Sequence, residues 1–438
     1  RYDMPTIVNM TEHAFELSEA CNLPVLLSLR IRACHMTGSF TCKENRPALR
    51  KRLNAPLSAN FDSSRIVLPP ATYVQEKAKV EERLPAARRY IQSNRLNEVF
   101  KGQGGRQGII MQGGTYGVVM RALSRLGHGD VFGNSDIPLL VLNIVHPLVP
   151  EEIIGFLEDK DSVLIVEEGH PAFIEEQIRS IIQQADMRCV VYGKNVIPTT
   201  GEYVTPVVRA GIATYLSSLS DTTIANKTKD FNSAIEKSVS VARENKPGKP
   251  LPPRPPSFCT GCPERPIFTA FKLIMAERGP LHISMDIGCS TFATLPPFNM
   301  GNTVLGYGLS LASSGAIAGS LDQPAIAVMG DGAFWHNGLA TGAINAQWQG
   351  MDAVLIILDN GYASATGQQH LPSTGATPIG EPVQISIEKV LRGIGVQWIR
   401  HVDSYDIKGT RAAVEEALDA RGKGLRVIMS GNECMLAK

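Results

Sequence analysis

Two short apolar runs constrain the fold of this chain more than any other feature. Residues 325–329 read AIAVM and are followed by Gly330-Asp331-Gly332, while residues 354–358 read VLIIL and are followed by Asp359-Asn360. Runs that are apolar at every position are typical of strands buried on both faces, as in a parallel sheet. The sequence therefore predicts two buried strands, each followed by a carboxylate or an amide.

The segment between these strands has the composition of a helix packed closely on a sheet. Residues 337–349 are rich in small side chains, and Asn337 is placed to act as the N-cap. A strand-helix-strand unit of this kind forms a right-handed crossover, so its two strands run parallel and end at the same sheet edge. We therefore expect Asp331 and Asn360, 29 positions apart, to lie side by side.

Oxygen ligands at adjacent strand ends, flanked by glycines, suit a hard cation such as Mg²⁺ that holds a diphosphate. Gly-Asp-Gly alone is also common turn chemistry, but its spacing to Asn360 and the flanking strands make the signal much stronger. The arrangement resembles that of thiamine-diphosphate enzymes. This resemblance implies that Asp331, the Asn360 side chain and the main-chain carbonyl of Tyr362 bind the metal.

Composition limits the other classes of function. The chain has 438 residues, enough for two or three domains, and 43 Lys and Arg against 42 Asp and Glu. No long basic block indicates nucleic-acid binding, and no apolar run is long enough to span a bilayer. Eight scattered cysteines favour reduced thiols in a cytoplasmic protein. The first residue is Arg rather than Met, which indicates a fragment or a processed product.

The first 70 residues contain one predicted strand with charged residues after it. Residues 23–30 (LPVLLSLR) read as a buried strand that follows a helix over 11–20. Arg32 and His35 come just after this strand, where α/β proteins place ligand sites, but an ordinary loop would explain them equally. Residues 44–60 are basic and contain prolines, which predicts a solvated loop.

A second α/β unit follows a charged, Ala-rich helical segment over 71–100. Its predicted strands cover 108–112, 138–145, 162–166 and 188–192, and its predicted helices cover 115–126, 151–157 and 173–184. The Glu-Glu-Gly-His-Pro sequence at 167–171 is either a catalytic cluster or an acidic helix start. A further helix is predicted near 205–219. The proline-rich 246–257 then indicates an extended connector and the clearest domain boundary.

The chain after this connector carries the remaining motifs. Cys259 and Cys262 form a C-x-x-C pair, which is compatible with half a zinc site, a redox pair or no function. Residues 282–289 predict a strand that ends in Asp286-Ile-Gly-Cys289. Residues 301–319 predict a helix rich in small residues, whose glycines permit close approach of a cofactor or simply of the sheet.

These motifs together resemble the large subunit of indolepyruvate ferredoxin oxidoreductase, a thiamine-diphosphate-dependent 2-oxoacid:acceptor oxidoreductase. The resemblance is carried by CTGCPERP, DIGCSTFATLPPFNMG, GDGAFWHNG, ILDNGYASATGQQ and NECMLAK, with HAFELSEACNLPVLLSLRIRACH, VEEGHP and GKNVIPTTGE upstream in the same order. It covers nearly the whole chain. Two departures are Gly332, where the family usually has Ser, and Glu264, where it usually has His.

The resemblance implies the fold class, which is α/β with several doubly wound parallel-sheet domains of the thiamine-diphosphate-enzyme type. It implies five segments: 1–70 as the C-terminal part of a pyrimidine-binding-like domain, 71–106 as a helical connector, 107–230 as a transketolase-C-like domain, 231–258 as a linker, and 259–438 as the thiamine-diphosphate domain. The pyrimidine-activating Glu of such enzymes is then expected before Arg1.

The resemblance also implies an activity, which is oxidative decarboxylation of an aryl 2-oxoacid to its acyl-CoA. Thiamine diphosphate, Mg²⁺, coenzyme A, iron–sulfur clusters, a ferredoxin-like acceptor, a smaller second subunit and an oligomer belong to this expectation. The chain carries no C-x-x-C-x-x-C-x-x-x-C run, so we expect the clusters on a missing segment or a partner. Two alternatives are a non-redox thiamine-diphosphate decarboxylase or carboligase, and a non-catalytic scaffold subunit.

The predicted site residues fall into three groups. Catalytic candidates are His336, His35 and Arg32, although His336 is equally explained as a helix-start residue. Metal ligands are Asp331, Asn360 and Tyr362. Cofactor-binding residues are Gly261, Cys262, Asp286, Gly288, Cys289, Gly306, Gly308, Gly330, Asp331, Gly332, Ala333, Asn360, Tyr362 and Ala363.

Overall fold

The computed structural model describes residues 1, 3–44, 63, 66–219, 222–244, 255–375 and 383–437. The chain forms two compact units, Arg1–Pro250 and Leu251–Lys438. The predicted loop over 44–60 lies almost wholly outside the described residues, as do positions 246–254 of the predicted connector. None of the helices in the described part of the chain has the length and apolar character that a bilayer crossing requires.

The first unit contains a five-stranded sheet. Its strands are β1 (Glu98–Phe100), β2 (Gln107–Gln112), β3 (Leu139–Leu142), β4 (Ser162–Val166) and β5 (Val190–Tyr192), in the order β1-β3-β2-β4-β5. All neighbours are parallel except β1, which pairs antiparallel with β3 at the edge. The helical segments are Met4–Cys21, Ile31–Cys34, Ala71–Ala78, Lys79–Arg83, Leu84–Ser93, Gly113–Thr115, Tyr116–Arg125, Pro150–Leu157, Phe173–Gln184, Thr205–Ser217 and Thr222–Glu244.

Apolar residues cover both faces of this sheet, as its parallel strands require. Ile109 and Met111 face the helices Tyr116–Arg125 and Thr205–Ser217. Ile110 faces the opposite side, where it clusters with residues of the helices Pro150–Leu157 and Phe173–Gln184. The predicted strands of this unit are confirmed with small changes in length, but strand β1 was missed because its three residues followed a helical pattern.

The prediction of a buried strand over 23–30 is wrong. This segment forms no strand, and Leu26 is 92% exposed. A run of apolar residues becomes a buried strand only when a neighbouring strand pairs with it. The described sheet of the first unit consists of β1–β5, and segment 23–30 pairs with none of them. Arg32 and His35 accordingly follow no strand, since Arg32 belongs to the short helix Ile31–Cys34 and His35 ends it.

The second unit contains a six-stranded, wholly parallel sheet. Its strands are β6 (Ile283–Met285), β7 (Thr303–Val304), β8 (Ala325–Gly330), β9 (Ala353–Asp359), β10 (Trp398–Asp403) and β11 (Leu425–Gly431), in the order β10-β11-β9-β8-β6-β7. The helical segments are Arg265–Arg278, Cys289–Thr294, Ser310–Ala318, Asp331–Ala333, Phe334–Ala343, Ile344–Trp348, Ser364–Thr366, Ile387–Gly393 and Ile407–Asp419. The sheet is buried on both faces by two apolar clusters, so the predicted α/β fold class is confirmed.

The predicted start of the helix after β8 is wrong. The helix begins at Asp331, directly after the extended Gly330, and continues through Phe334–Ala343 with the wider turns of a π-helix. Asn337 therefore lies inside the helix and cannot be its N-cap. The apolar periodicity of the sequence marked the body of this helix but not its first turn, because Asp331 and Gly332 resemble turn residues.

The predicted helix over 301–319 is shorter than expected. It begins only at Ser310, and the preceding residues form β7 and a loop. Gly301 has φ +95° and Gly308 has φ +83°, conformations that a helix does not contain. The glycines at 306 and 308 consequently form a loop in front of the helix.

Candidate functional site

The ends of β8 and β9 bring Asp331 and Asn360 to the same sheet edge. The two strands pair in parallel, with Gly330 opposite Leu358. Asp331 begins the helix after β8, and Asn360 follows the last residue of β9. The predicted adjacency is therefore confirmed, while the role of these residues as metal ligands stays a prediction.

Asp331 links the two strand ends through its carboxylate. Its Oδ1 accepts a hydrogen bond from the backbone N–H of Gly332, and its Oδ2 accepts one from Gly361, each at 2.7 Å. The side chain is only 1% exposed. Burial and the neighbouring carboxyl of Asp359 raise the pKa of Asp331, and burial also raises the pKa of Asp359. A bound divalent cation would offset this concentration of acidic groups.

Asn360 is oriented by hydrogen bonds at both ends of its amide. Its Oδ1 accepts from the backbone N–H of Tyr362 at 3.2 Å and from the Ser364 hydroxyl at 2.9 Å. Its Nδ2 donates to Oε1 of Glu264 at 3.3 Å. The Asn360 oxygen and the Tyr362 carbonyl thus belong to one tight turn, as a shared cation would require.

Glu264 is a site residue that the sequence did not predict. It is 5% exposed, burial raises its pKa to about 7, and its Oε2 has no hydrogen-bond partner among the described residues. The sequence marked Glu264 only as a departure from the expected His. Its contact with Asn360 has no sequence signal, because 96 positions separate the two residues.

Glycines leave open space along the same edge. A Cβ added at Gly288, Gly330 or Gly361 would meet no other atom within 4 Å, and Gly361 has φ +85°. The adjoining cavity of about 630 Å³ is bordered by Asp359, Asn360, Gly361 and Tyr362. This volume falls in the range of small-molecule sites, so the edge can admit a ligand close to the backbone.

Both carboxylate oxygens of Asp286 accept hydrogen bonds from the backbone of a loop. Its Oδ2 accepts from the backbone N–H of Gly308 and its Oδ1 from that of Ser310, both at 2.8 Å. Burial raises its pKa to about 6 against the opposing effect of these hydrogen bonds. The carboxylate therefore anchors the loop that contains Gly306 and Gly308, whereas its predicted contact with a cofactor stays a prediction.

The four cysteines of the second unit converge near Glu264. Burial, the Glu264 carboxylate and the thiols of Cys262, Cys434 and Cys259 raise the pKa of Cys289 to about 12. Among the described residues, no group of three or more His, Cys, Asp and Glu side chains is arranged to hold a metal ion. The sequence did not predict this convergence because Cys289 and Cys434 stand alone in the chain.

The catalytic candidates occur in both units. His336 is exposed on the helix after β8, with its ring centroid 5.0 Å from that of Tyr307. Arg32 and His35 are exposed residues of the first unit, where Arg32 forms an ion pair with Glu202. A catalytic role for these three residues stays a prediction.

The Glu-Glu-Gly-His-Pro cluster has a structural role in the first unit. Glu167 accepts hydrogen bonds from the backbone N–H groups of Ile174 and Glu175, both at 3.0 Å, at the start of the helix Phe173–Gln184. Glu168 accepts from Arg30 and from the backbone N–H of Tyr203. These contacts support the interpretation of the cluster as an acidic helix start.

Comparison with known proteins agrees with this geometry. Residues 286–429 match the family described as "Thiamine pyrophosphate enzyme, C-terminal TPP binding domain". The indolepyruvate oxidoreductase subunit IorA of Thermococcus kodakarensis is 32% identical over an alignment of 445 positions, which covers 98% of this chain and 65% of that subunit. IorA of Methanothermobacter thermautotrophicus is 29% identical, with 99% of this chain and 66% of that subunit covered. This chain is therefore similar in sequence to the IorA subunits along nearly its whole length.

This similarity confirms the resemblance found in the sequence motifs. The chain spans about 65% of the length of the T. kodakarensis IorA. A 2-oxoglutarate:ferredoxin oxidoreductase from Magnetococcus marinus aligns with 42% of this chain and 66% of its own, at 19% identity and a TM-score of 0.36, too low for a comparison of folds.

Thiamine diphosphate is the cofactor that the family match supports, and residues at this sheet edge fit it. The matched residues include Asp331, Asn360 and Tyr362, together with the open glycines at 288, 330 and 361. Glu264 and Cys434 lie outside the match, so part of the environment of Asn360 comes from segments beyond that family domain.

Proposed function

We propose that this chain binds thiamine diphosphate and Mg²⁺ in its second unit and forms part of a 2-oxoacid:acceptor oxidoreductase. The proposal rests chiefly on Asp331 and Asn360 at the carboxyl ends of two adjacent parallel strands, beside glycines that face open space. The proposal is also supported by sequence similarity to the IorA subunits along nearly the whole chain.

The metal would be held by three oxygen atoms of this chain. These are a carboxylate oxygen of Asp331, the side-chain oxygen of Asn360 and the backbone carbonyl of Tyr362. The first two belong to buried residues, and the turn from Asn360 to Ser364 keeps the second and third on one short segment. Such a set suits a hard cation bridging to phosphate oxygens.

The helix that begins at Asp331 would contribute to diphosphate binding. Backbone N–H groups in the first turn of a helix lack partners within the helix and attract anions. The missing Cβ atoms at Gly330 and Gly361 permit phosphate oxygens to approach the backbone there. When bound, thiamine diphosphate supplies an electron-accepting ring that permits CO₂ to leave a 2-oxoacid.

The reaction we propose converts an aryl 2-oxoacid, coenzyme A and two equivalents of oxidised one-electron acceptor to acyl-CoA, CO₂, a proton and two equivalents of reduced acceptor. The aryl substrate follows from the name of the IorA relatives, which are indolepyruvate oxidoreductase subunits. The electrons would pass through iron–sulfur clusters on a further segment or a second subunit to a ferredoxin-like acceptor, in an oligomeric cytoplasmic assembly.

The test uses protein purified without oxygen and with its natural neighbours attached. Thiamine diphosphate, iron and acid-labile sulfide are measured per chain, and reduction of a viologen dye is followed with indolepyruvate and coenzyme A. We expect bound thiamine diphosphate, several iron and sulfide atoms, and dye reduction that requires coenzyme A. Two controls are the same assay without coenzyme A and the same assay with the Asp331→Ala variant in place of the parent protein.

Two other outcomes would overturn parts of this proposal. Thiamine diphosphate without iron, with aldehyde formed in place of reduced dye, would indicate a non-redox decarboxylase or carboligase. Absence of thiamine diphosphate even after incubation with the cofactor and Mg²⁺ would contradict the assignment of the metal site.

A further inference from the structure

The hydroxyl of Tyr307 occupies the space directly over Gly332. A Cβ added to Gly332 would overlap the Tyr307 oxygen and would lie 3.1 Å from Cβ of Ala363. Gly332 is buried in the first turn of the helix that begins at Asp331. Residue 332 therefore has to be glycine while the phenol stands there, and the hydroxyl lies beside the first turn of the proposed diphosphate site.

The loop that carries Tyr307 is fixed against the start of this helix. Gly308, with φ +83°, donates its N–H to Asp286 at 2.8 Å. A Cβ at Gly308 would lie 2.7 Å from both Cβ of Asn337 and the backbone N of Gly338, and 2.9 Å from the carbonyl oxygen of Ala333. Both contacts confine the backbone next to Tyr307, so the position of the phenol over Gly332 is determined by packing.

The Tyr307 hydroxyl is available to a ligand. It has no hydrogen-bond partner among the described residues, and Tyr307 is 36% exposed. Its ring lies against that of His336, with centroids 5.0 Å apart. A phenol keeps its proton at neutral pH, so the Tyr307 hydroxyl can serve as a hydrogen-bond donor.

We propose that Tyr307 donates a hydrogen bond through its hydroxyl to a diphosphate oxygen of the bound cofactor, beside the first turn of the helix that begins at Asp331. This inference rests on the proposed binding of thiamine diphosphate and adds a specific donor to that site. The carboxylates of Asp331 and Asp359 can only accept hydrogen bonds once ionised, so the diphosphate needs donors from other groups. The phenol supplies one beside Gly332.

The first test measures binding of magnesium pyrophosphate and of magnesium thiamine diphosphate to the full chain by titration calorimetry. Tyr307→Phe removes the hydroxyl and keeps the ring. We expect the dissociation constant of both ligands to rise by about tenfold or more, since a hydrogen bond to a charged group is lost. Tyr192→Phe, in the first unit, is the matched control and should bind as the parent does.

A second measurement separates this role from a structural one. Gly332→Ser introduces a Cβ where the Tyr307 hydroxyl stands, so it should weaken binding in the parent protein. In the Tyr307→Phe background the overlapping oxygen is absent, and the serine hydroxyl provides a replacement donor. We therefore expect the double variant to lose less affinity than the product of the two single losses.

The outcomes distinguish this inference from the proposed function. If the parent binds neither ligand, the cofactor proposal itself fails. If the parent binds both and Tyr307→Phe binds them equally well, the role of Tyr307 is contradicted while the cofactor proposal stands. If the affinity losses of Tyr307→Phe and Gly332→Ser simply multiply in the double variant, this would also contradict the inference that the two side chains compete for the same space. Circular dichroism and the melting temperature of each variant establish that it folds.

Discussion

Asn360 donates a hydrogen bond from Nδ2 to Oε1 of Glu264, at 3.3 Å, although 96 positions separate the two residues. Both side chains are buried, and the Asn360 oxygen accepts from the turn that follows it. Because Glu264 engages the nitrogen, the amide cannot rotate by half a turn without losing contacts at both ends. Glu264 thus determines which atom of Asn360 is available to a cation.

This relationship predicts different effects for two replacements of Glu264. Burial raises the pKa of Glu264 to about 7, so its neutral form is well populated at neutral pH and Gln is a close mimic of that form. We expect Glu264→Gln to keep thiamine-diphosphate binding. Glu264→Ala should lower the free energy of unfolding by about 2 kcal/mol and weaken cofactor binding several-fold, because Asn360 Nδ2 loses its partner. Urea unfolding and calorimetry measure the two effects; equal behaviour of Ala and Gln would contradict the orienting role.

Replacement of Asp331 tests the proposed metal site directly. Asp331→Asn and Asp331→Ala should each weaken Mg²⁺-dependent thiamine-diphosphate binding by about 100-fold or more, since loss of even an indirect metal contact costs 10–100-fold. In the cofactor-free Asn variant, relief of the unfavourable ionisation is opposed by the loss of one acceptor oxygen for the backbone N–H of Gly332 or Gly361, so its free energy of unfolding should stay within about 2 kcal/mol of the parent's. Equilibrium dialysis with and without Mg²⁺ gives the affinities. Parent-like binding by both variants would exclude Asp331 as a ligand.

In the first unit, the burial of His128 leads us to expect that the fold loses stability in acid. It is 1% exposed, its Nε2 lies 2.8 Å from the Thr228 hydroxyl, and its Nδ1 lies 3.3 Å from Asp136. Burial lowers the pKa of His128, so the folded state binds a proton less readily than the unfolded chain, whose histidines titrate near pH 6.5. The stabilisation is therefore complete above about pH 6.5 and decreases as the pH falls through the folded-state value.

The measurement for His128 compares the parent with His128→Gln in urea at pH 7.5 and pH 5.5. We expect the variant to cost about 2 kcal/mol at pH 7.5, where the buried hydrogen bonds are lost, and less at pH 5.5. Using the difference between the two proteins cancels the titration of all other groups. A difference that is constant or larger in acid would have the wrong sign for this explanation.

Cysteine reactivity should follow burial in the second unit. The pKa of Cys262 and of Cys289 is raised to about 12 by burial, whereas Cys259 is exposed. At a pKa of about 12, only roughly one thiol in ten thousand would be ionised at pH 8, and the thiolate is the reactive species. Iodoacetamide followed by peptide mass spectrometry should therefore label Cys259 first. Labelling of Cys262 or Cys289 at the same rate as Cys259 would be incompatible with the raised pKa of these two half-buried thiols.

Local sequence patterns were sufficient to predict the two strands that carry the proposed metal site. The apolar runs at 325–329 and 354–358 predicted β8 and β9, and the handedness of the crossover predicted that Asp331 and Asn360 end up adjacent. The strand β4 and the helix Phe173–Gln184 were predicted with the observed bounds. Periodicity and connection rules act over tens of residues, so they predict such elements well.

The sequence by itself therefore determined the α/β class, the parallel strand pairs and the motif set shared with IorA. Only the tertiary structure decided that Glu264 is buried against Asn360, that Tyr307 stands over Gly332, and that segment 23–30 is exposed. These features depend on which distant segments become neighbours in space. A side chain's neighbours across 25 or 96 positions are selected by packing of the whole unit, and no local period in the sequence records that choice.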